Sequence, residues 1–292
     1  MRQKLEYLLA RILILFLQRL PFRIAVAFGA ALGRLFYLAD RRHRWITFEA
    51  LKTAIGTERD ERELWRIARG VFENLGRSVT EFVWIQGRPA DLLMQRTTFE
   101  GMEHYTAAAE GKKGVLLLTA HFGNWEWMAT AAAVLGMKLS VVARPLDNPY
   151  LNEMINGWRE RYGNRVLNKR TSAAEIMRRL RAGETVGVLL DQNTALSEAV
   201  FVDYFGRPAA THKGLAIMAL RTGVPLLPAF IVREGNRHRV IVEKPLEIPR
   251  TGNLERDIRE ATALFTRTIE SYVRRYPDQW LWVHRRWKTQ PK

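Results

Sequence analysis

The chain has 292 residues, 47% of them hydrophobic, and a formal net charge of +16. It contains no cysteine, which excludes disulfides, thiolate nucleophiles and cysteine-ligated metals. The six histidines lack the close spacing of a metal site, and there is neither a GxGxxG motif nor a P-loop. We therefore expect no metal and no nucleotide cofactor.

The basic charge predicts an anionic partner, for which nucleic acid, a phospholipid surface and an acidic carrier protein all qualify. No nucleic-acid-binding motif is present, and the arginines are spread along the whole chain. This distribution argues against nucleic acid. The first forty residues favour an anionic membrane surface instead.

Residues 5 to 38 form two apolar stretches, and in the second Arg23 and Arg34 lie on one side of a predicted helix. The longest uncharged run, Ile24 to Gly33, is half of the roughly 20 residues that span a bilayer. Two helices that lie on or dip into the membrane interface fit this pattern. Two core helices of a soluble protein, or a signal peptide, are the alternatives.

Charged and helical residues connect this region to the rest of the chain. The basic run from Asp40 to Arg44 suits either an anionic leaflet or a solvated helix start. Residues 60 to 84 have one apolar face and predict a long helix, which Gly87-Arg-Pro89 ends.

From residue 100, short apolar runs alternate with helical segments, which predicts an α/β fold with a mainly parallel central sheet covered by helices. We expect an N-terminal helical, membrane-associating region over 1–99 and an α/β region over 100–292, together forming one compact unit. The predicted strands are Val115–Leu118, Leu139–Ala143, Thr185–Leu190, Leu226–Val232 and Arg239–Val242. The predicted helices are 124–135, 150–161, 172–182, 212–222 and 257–276.

The segment His121-Phe-Gly-Asn-Trp-Glu126 falls where the first of these strands turns into a helix. If Gly123 bends the chain, Glu126 can reach the imidazole of His121, giving a general base and its orienting carboxylate. No serine or cysteine in the turn offers a nucleophile, so this pair would activate a hydroxyl of the substrate. The alternative is that His121 caps the helix and Glu126 complements its dipole.

Other polar residues end neighbouring strands, and ligand sites of open α/β sheets lie at the carboxyl ends of strands. Arg144 can bind a phosphate or carboxylate there, or pair with Asp191. Asp191 can orient a basic side chain, position a substrate hydroxyl or pair with an arginine. Gln192 follows it at the same edge.

The ordered set of motifs resembles the lauroyl/myristoyl acyltransferases of lipid A biosynthesis, within the glycerolipid acyltransferase superfamily. The set comprises His-x4-Glu at 121–126, Arg-Pro at 144–145, Asp-Gln at 191–192, Phe-Gly-Arg-Pro at 205–208 and the C-terminal Trp/Arg cluster. The resemblance covers most of residues 115 to 288. It implies that Tyr204 and Phe205 line an acyl-chain pocket, although an isolated aromatic pair is more often core.

The resemblance implies a membrane-associated O-acyltransferase without a cofactor, at the cytoplasmic face of the inner membrane. The expected donor is the thioester of an acyl carrier protein or coenzyme A, and the acceptor a glycolipid hydroxyl in lipid A biosynthesis. We expect the backbone amides near Gly123 and Asn124 to bind the oxyanion. The alternatives are a phosphatidylinositol mannoside-type acceptor, a hydrolase, or a catalytically silent membrane adaptor.

The C-terminal residues Trp280, Trp282 and His284 alternate as strand residues do. Tryptophan and arginine suit a membrane interface. Packing against the sheet explains the alternation better, and it is the expected role.

Overall fold

The structure, a computed structural model, describes residues 1–111, 113–168 and 172–291. The helices are α1 Arg2–Arg19, α2 Phe22–Ala39, α3 Arg41–Ile55, α4 Glu61–Ile85, α5 Ala90–Met94, α6 Met102–Glu110, α7 Trp125–Val134, α8 Pro149–Glu160, α9 Ser172–Arg181, α10 Gly214–Thr222 and α11 Leu254–Arg275. The strands are β1 Thr97–Glu100, β2 Val115–Thr119, β3 Leu139–Ala143, β4 Arg165–Asn168, β5 Thr185–Leu189, β6 Ala199–Tyr204, β7 Arg207–His212, β8 Leu226–Glu234 and β9 Arg237–Val242.

Seven strands form the central sheet in the order β1-β9-β8-β2-β5-β3-β4. All neighbouring pairs are parallel except the hairpin β8–β9. Helices connect the parallel strands, and β2 at the centre is buried along its whole length. This arrangement confirms the predicted fold class, because a parallel sheet needs both faces covered.

The five predicted strands are all present. The sequence did not predict four further strands. β1 and β4 are the two edges of the sheet, four residues each, and polar residues make up three of four in β1 and two of four in β4. An edge strand needs no continuous apolar run, so its sequence carries little strand signal. β6 and β7 form a separate hairpin over residues 199–212, for which the sequence predicted no strand.

The N-terminal helices pack onto the sheet through α4, and α2 and α4 approach closely at glycines. A Cβ atom at Gly76 would lie 2.1 Å from the carbonyl oxygen of Gly29, and one at Gly33 would lie 2.1 Å from that of Phe72. Backbone contact at this distance leaves no room for any side chain. The packing of α2 is therefore fixed by glycine on both helices.

We predict that Gly76→Ala lowers the melting temperature, at a cost of about 1–3 kcal/mol from overpacking. The matched control is Gly157→Ala on the exposed side of α8, where an added Cβ meets nothing within 4 Å. That control gains helix propensity and should be neutral or slightly stabilising. Equal melting temperatures for the two variants would contradict the close α2–α4 contact.

Candidate active site

His121 and Asp191 meet because β2 and β5 are parallel neighbours. Thr119 pairs with Leu189 in the ladder, and the chain leaves the sheet after both residues. His121 and Asp191 each follow two residues later, so they lie side by side at the carboxyl edge. Sequence reasoning placed both residues at this edge, and the strand pairing brings them into contact.

Asp191 holds the imidazole of His121 in one orientation. Its Oδ1 lies 2.9 Å from Nδ1 of His121, and its Oδ2 accepts the backbone amide of His121 at 3.0 Å. The indole N–H of Trp280 donates to the same Oδ2 at 2.8 Å. An ionised carboxylate only accepts, so Nδ1 carries the proton and Nε2 is the basic nitrogen.

The electrostatics of this pair favour the protonated form of His121. Burial disfavours the imidazolium, but the charge and hydrogen bond of Asp191 outweigh it, and Glu126 adds to them. The pKa of His121 is therefore raised above its ordinary value. Burial likewise opposes ionisation of Asp191, yet His121 and Trp280 hold the pKa of this carboxyl below its usual range.

The predicted contact between His121 and Glu126 is wrong. Glu126 lies in the first turn of α7 and binds Arg159 of α8, with Arg159 Nε 3.2 Å and 3.1 Å from its two oxygens and Nη2 2.5 Å from Oε1. The carboxylate on the imidazole is instead that of Asp191. Asn124 caps α7 immediately before Trp125, so the helix carries Glu126 towards α8.

Arg159 is the site residue that sequence reasoning missed. It lies inside a predicted helix, between Trp158 and Glu160 and two residues before Arg161, and no motif distinguishes it from the other arginines. Only the packing of α7 beside α8 pairs it with Glu126. Both residues line the same cavity as His121.

The cavity in front of His121 has a volume of about 1320 Å³. Its apolar wall comes from the central strands and α7, and includes Leu117, Met128, Leu139 and Val141. Charged and polar side chains, among them His121, Glu126 and Arg159, line other parts of it. A drug-sized ligand needs roughly 300–1,000 Å³, so this cavity has room for a long or branched substrate.

Arg144 and Gln192 line this cavity. Arg144 is 81% exposed, and its nearest carboxylate is that of Asp147, at 3.8 Å. The alternative pairing of Arg144 with Asp191 is therefore absent. The guanidinium stands at the rim, available to a ligand.

The two predicted oxyanion residues do not line the cavity. The amide of Gly123 donates to the carbonyl of Gln279 at 2.8 Å, so it is already used. Gly123 is required for another reason: its φ is +58°, and a Cβ there would lie 2.0 Å from the carbonyl oxygen of Ile231. Asn124 is buried, and its side chain caps α7.

Tyr204 and Phe205 do not line the cavity in this structure. Both are buried at the end of the hairpin and pack against each other and against aromatic residues of the C-terminal segment. In this structure Tyr204 and Phe205 are core residues, as the alternative interpretation held.

The C-terminal segment braces the turn that carries His121. The amide of Leu281 donates to the carbonyl of His121 at 3.1 Å. Trp280 and Trp282 are fully buried, which confirms packing as their role. His284 Nε2 accepts the amide of Asn193 at 2.8 Å, and burial lowers the pKa of His284, which keeps this nitrogen an acceptor.

A buried ionic cluster supports the other side of the turn. Glu81 of α4 is fully buried and binds Arg233, His238 and the side-chain amide of Asn124, the last at 2.8 Å. Burial opposes the charge of Glu81, but Arg233 and His238 outweigh it and lower the pKa of Glu81 to about 2. The cluster therefore connects α4, and with it the N-terminal helices, to the cap of α7.

A histidine held by a buried carboxylate, with its second nitrogen at a partly apolar cavity, defines an enzyme site for acid–base chemistry on an apolar substrate. The family model for the bacterial lipid A biosynthesis acyltransferases matches residues 2–289. The chain belongs to this family.

Individual relatives agree with the family match. The chain is 27% identical to the lipid A biosynthesis lauroyltransferase of Escherichia coli (strain K12), over 94% of this chain and 88% of that protein. It is 25% identical to the lipid A biosynthesis palmitoleoyltransferase of the same organism, over the same shares. A phosphatidylinositol mannoside acyltransferase of Mycobacterium tuberculosis (strain CDC 1551 / Oshkosh) is 29% identical over 46% of this chain and 44% of that protein. The prediction of an acyltransferase of the lipid A type is confirmed.

We predict that Asp191→Asn moves the acidic limb of the kcat/KM profile to lower pH. The substitution removes the charge that raises the pKa of His121, while burial still lowers it. It should also reduce kcat by about 10²-fold or more, because the amide NH2 would then face Nδ1 and Nε2, which must act as the base, would carry the proton. Asp203→Asn, at an exposed residue of the β6–β7 hairpin, is the control. An unshifted limb would show that Asp191 does not set the basicity of His121.

Proposed function

We propose that this enzyme transfers a fatty acyl chain from an acyl thioester to a hydroxyl of a glycolipid acceptor, with His121 as the general base. The observation that carries the proposal is the cavity-facing imidazole whose Nδ1 is bound by Asp191. No described residue forms a hydrogen bond with Nε2, so this nitrogen is available to the substrate. The donor is the thioester of acyl carrier protein or coenzyme A.

His121 acts twice in the proposed reaction. Its Nε2 removes the proton of the acceptor hydroxyl as the oxygen attacks the thioester carbonyl, and the carbon–sulfur bond breaks from the tetrahedral intermediate. The imidazolium then returns the proton to the leaving thiolate. The products are an ester and a free thiol, so no water, metal or second nucleophile is consumed.

The charges around His121 support this sequence. Asp191 stabilises the imidazolium directly, and the charge of Glu126 adds a smaller contribution, part of which its ion pair with Arg159 offsets. The first-turn amides of α7 have no acceptor within their helix. Trp125 and Glu126 line the cavity, so their amides replace Gly123 and Asn124 as the proposed oxyanion donors.

The lining of the cavity suits both substrates. Its apolar wall fits an acyl chain, where each buried CH2 group contributes about 0.8 kcal/mol. Arg144 at the rim suits a phosphate of the acceptor or of the donor's phosphopantetheine. The net charge of +16 favours an acidic carrier protein and an anionic lipid alike.

The N-terminal helices support a location at the cytoplasmic face of the inner membrane. In the described residues α2 is the one helix long and apolar enough to cross a membrane. Arg23 and Arg34 are 11 residues apart, or about 16 Å along the helix, which is short of the roughly 30 Å hydrocarbon core. A peripheral or monotopic position follows. Large apolar side chains of α1 and α2 are exposed: Leu5, Leu8, Leu9, Ile12, Leu13, Leu15, Phe16, Ile24, Leu32, Leu35, Phe36 and Leu38.

A phosphatidylinositol mannoside-type acceptor is the second candidate, and the partial match to the mycobacterial acyltransferase favours it. Both acceptors are glycolipids with hydroxyl and phosphate groups, so the same site chemistry serves either. Transfer to each acceptor in separate reactions distinguishes them.

The test is a turnover assay with acyl carrier protein or coenzyme A thioesters and either acceptor, with products followed by mass spectrometry. We predict that His121→Ala loses transfer by at least about 10²-fold. His104→Ala should retain it, because His104 bonds the carbonyl of Val242 and does not line the cavity. Free fatty acid without acylated lipid would indicate a hydrolase. No turnover in the unmodified protein would indicate a silent adaptor.

We predict that Arg144→Lys raises KM for the substrate whose anionic group it binds, with kcat less affected. An ammonium cannot reproduce the two-donor fork of a guanidinium. Because Arg144 is exposed and its ion pair with Asp147 is long, the melting temperature of the variant should equal that of the unmodified protein. Asp147→Asn at the same rim is the matched control. A KM equal to that of the unmodified enzyme would remove Arg144 from substrate binding.

A further inference from the structure

A second groove lies on the N-terminal side of the molecule, away from the catalytic cavity. It has a volume of about 440 Å³ and shares no lining residue with that cavity. Its floor is the Ala27–Ala30 side of α2. Three arginines and one amide surround this floor: Arg23, Arg34, Arg77 and Asn236. The groove is thus built by α2, α4 and the turn between β8 and β9.

The charge around this groove is unbalanced. Glu73 of α4 is shared by Arg34 at 2.9 Å, Arg69 at 3.5 Å and Arg77 at 3.2 Å. One carboxylate is therefore the ion-pair partner of three guanidinium groups. Arg23 has no carboxylate within salt-bridge distance among the described residues. The groove carries an excess of positive charge that an anionic ligand would neutralise.

The position of the groove on α2 indicates where that ligand comes from. Ile24 and Leu35 are exposed, and each follows an arginine of the groove by one residue. Successive residues are 100° apart on a helix, so this apolar strip lies a quarter turn from Arg23 and Arg34. An interfacial helix buries its apolar face about 5–10 Å into the headgroup and acyl boundary. With that strip in the membrane, the groove opens sideways at the level of the lipid phosphates.

We propose that this groove binds the phosphate of an anionic phospholipid headgroup. The arginines of α2 and α4 hold the phosphate oxygens through guanidinium forks, and Asn236 offers an amide to the rest of the headgroup. The alanine floor leaves room for the headgroup to approach the helix. The site rests on the proposed membrane association, and it orients α2 on the bilayer without taking part in acyl transfer.

The test is co-sedimentation of the full chain with vesicles of phosphatidylcholine alone and with added phosphatidylglycerol. We expect Arg23→Gln to lower the affinity for phosphatidylglycerol-containing vesicles by more than the roughly fivefold that any one basic residue at an anionic surface contributes. Binding to neutral vesicles should not change. Since Arg23 is exposed and has no carboxylate partner, the variant should keep its melting temperature and its turnover in detergent.

The matched control is Arg41→Gln, at an equally exposed arginine one helix further along and outside the groove. A smaller loss in Arg41→Gln than in Arg23→Gln supports a defined site. Equal losses would mean that charge alone drives binding, and the groove proposal would then be wrong.

Two further outcomes separate the sources of phosphate and the two proposals. If inorganic phosphate binds but Arg23→Gln leaves vesicle binding intact, the groove takes free phosphate and the headgroup proposal fails. If the unmodified chain does not bind neutral vesicles, the exposed apolar side chains of α1 and α2 do not anchor the protein. The increase in vesicle binding that phosphatidylglycerol gives would still measure the contribution of the groove. Loss of turnover in His121→Ala bears only on the proposed reaction.

Discussion

A fully buried carboxylate, that of Glu81, connects α4, the β8–β9 hairpin and the turn that carries His121. Burying a lone charge costs several kcal/mol, so Glu81 must be matched by charges and donors wherever it lies. It draws Arg233 and His238 from the β8–β9 hairpin and Asn124 from the start of α7. Because Asn124 caps α7 and follows the turn of His121, one buried charge fixes helix α4, the sheet and the turn relative to one another.

The catalytic geometry is assembled on this support from both directions. The C-terminal segment bonds the turn at Gly123 and His121, and its Trp280 completes the hydrogen bonds of Asp191. The imidazole therefore has little freedom to rotate, and its basicity is set by a neighbour that is itself held in place. Such preorganisation is what a general base requires, since a group fixed beforehand needs no reorganisation when the proton moves.

The same fold has two surfaces of different chemistry. The cavity at the carboxyl edge of the sheet combines an apolar wall with His121 and Glu126. The N-terminal helices present exposed apolar side chains beside the arginines of α2. Close glycine contacts join α2 to α4, and α4 carries Glu81. The N-terminal helices and the turn of His121 are thus parts of one packed structure.

The sequence by itself determined the α/β class, the five central strands, the position of His121 at a strand end and the acyltransferase family. These depend on local apolar runs, on turn residues and on an ordered set of motifs. Only the tertiary structure decided that Asp191, 70 residues away, binds His121, and that Glu126 binds Arg159. The reason is physical: which strands become neighbours, and towards which helix a side chain projects, depends on packing between segments that no local pattern records.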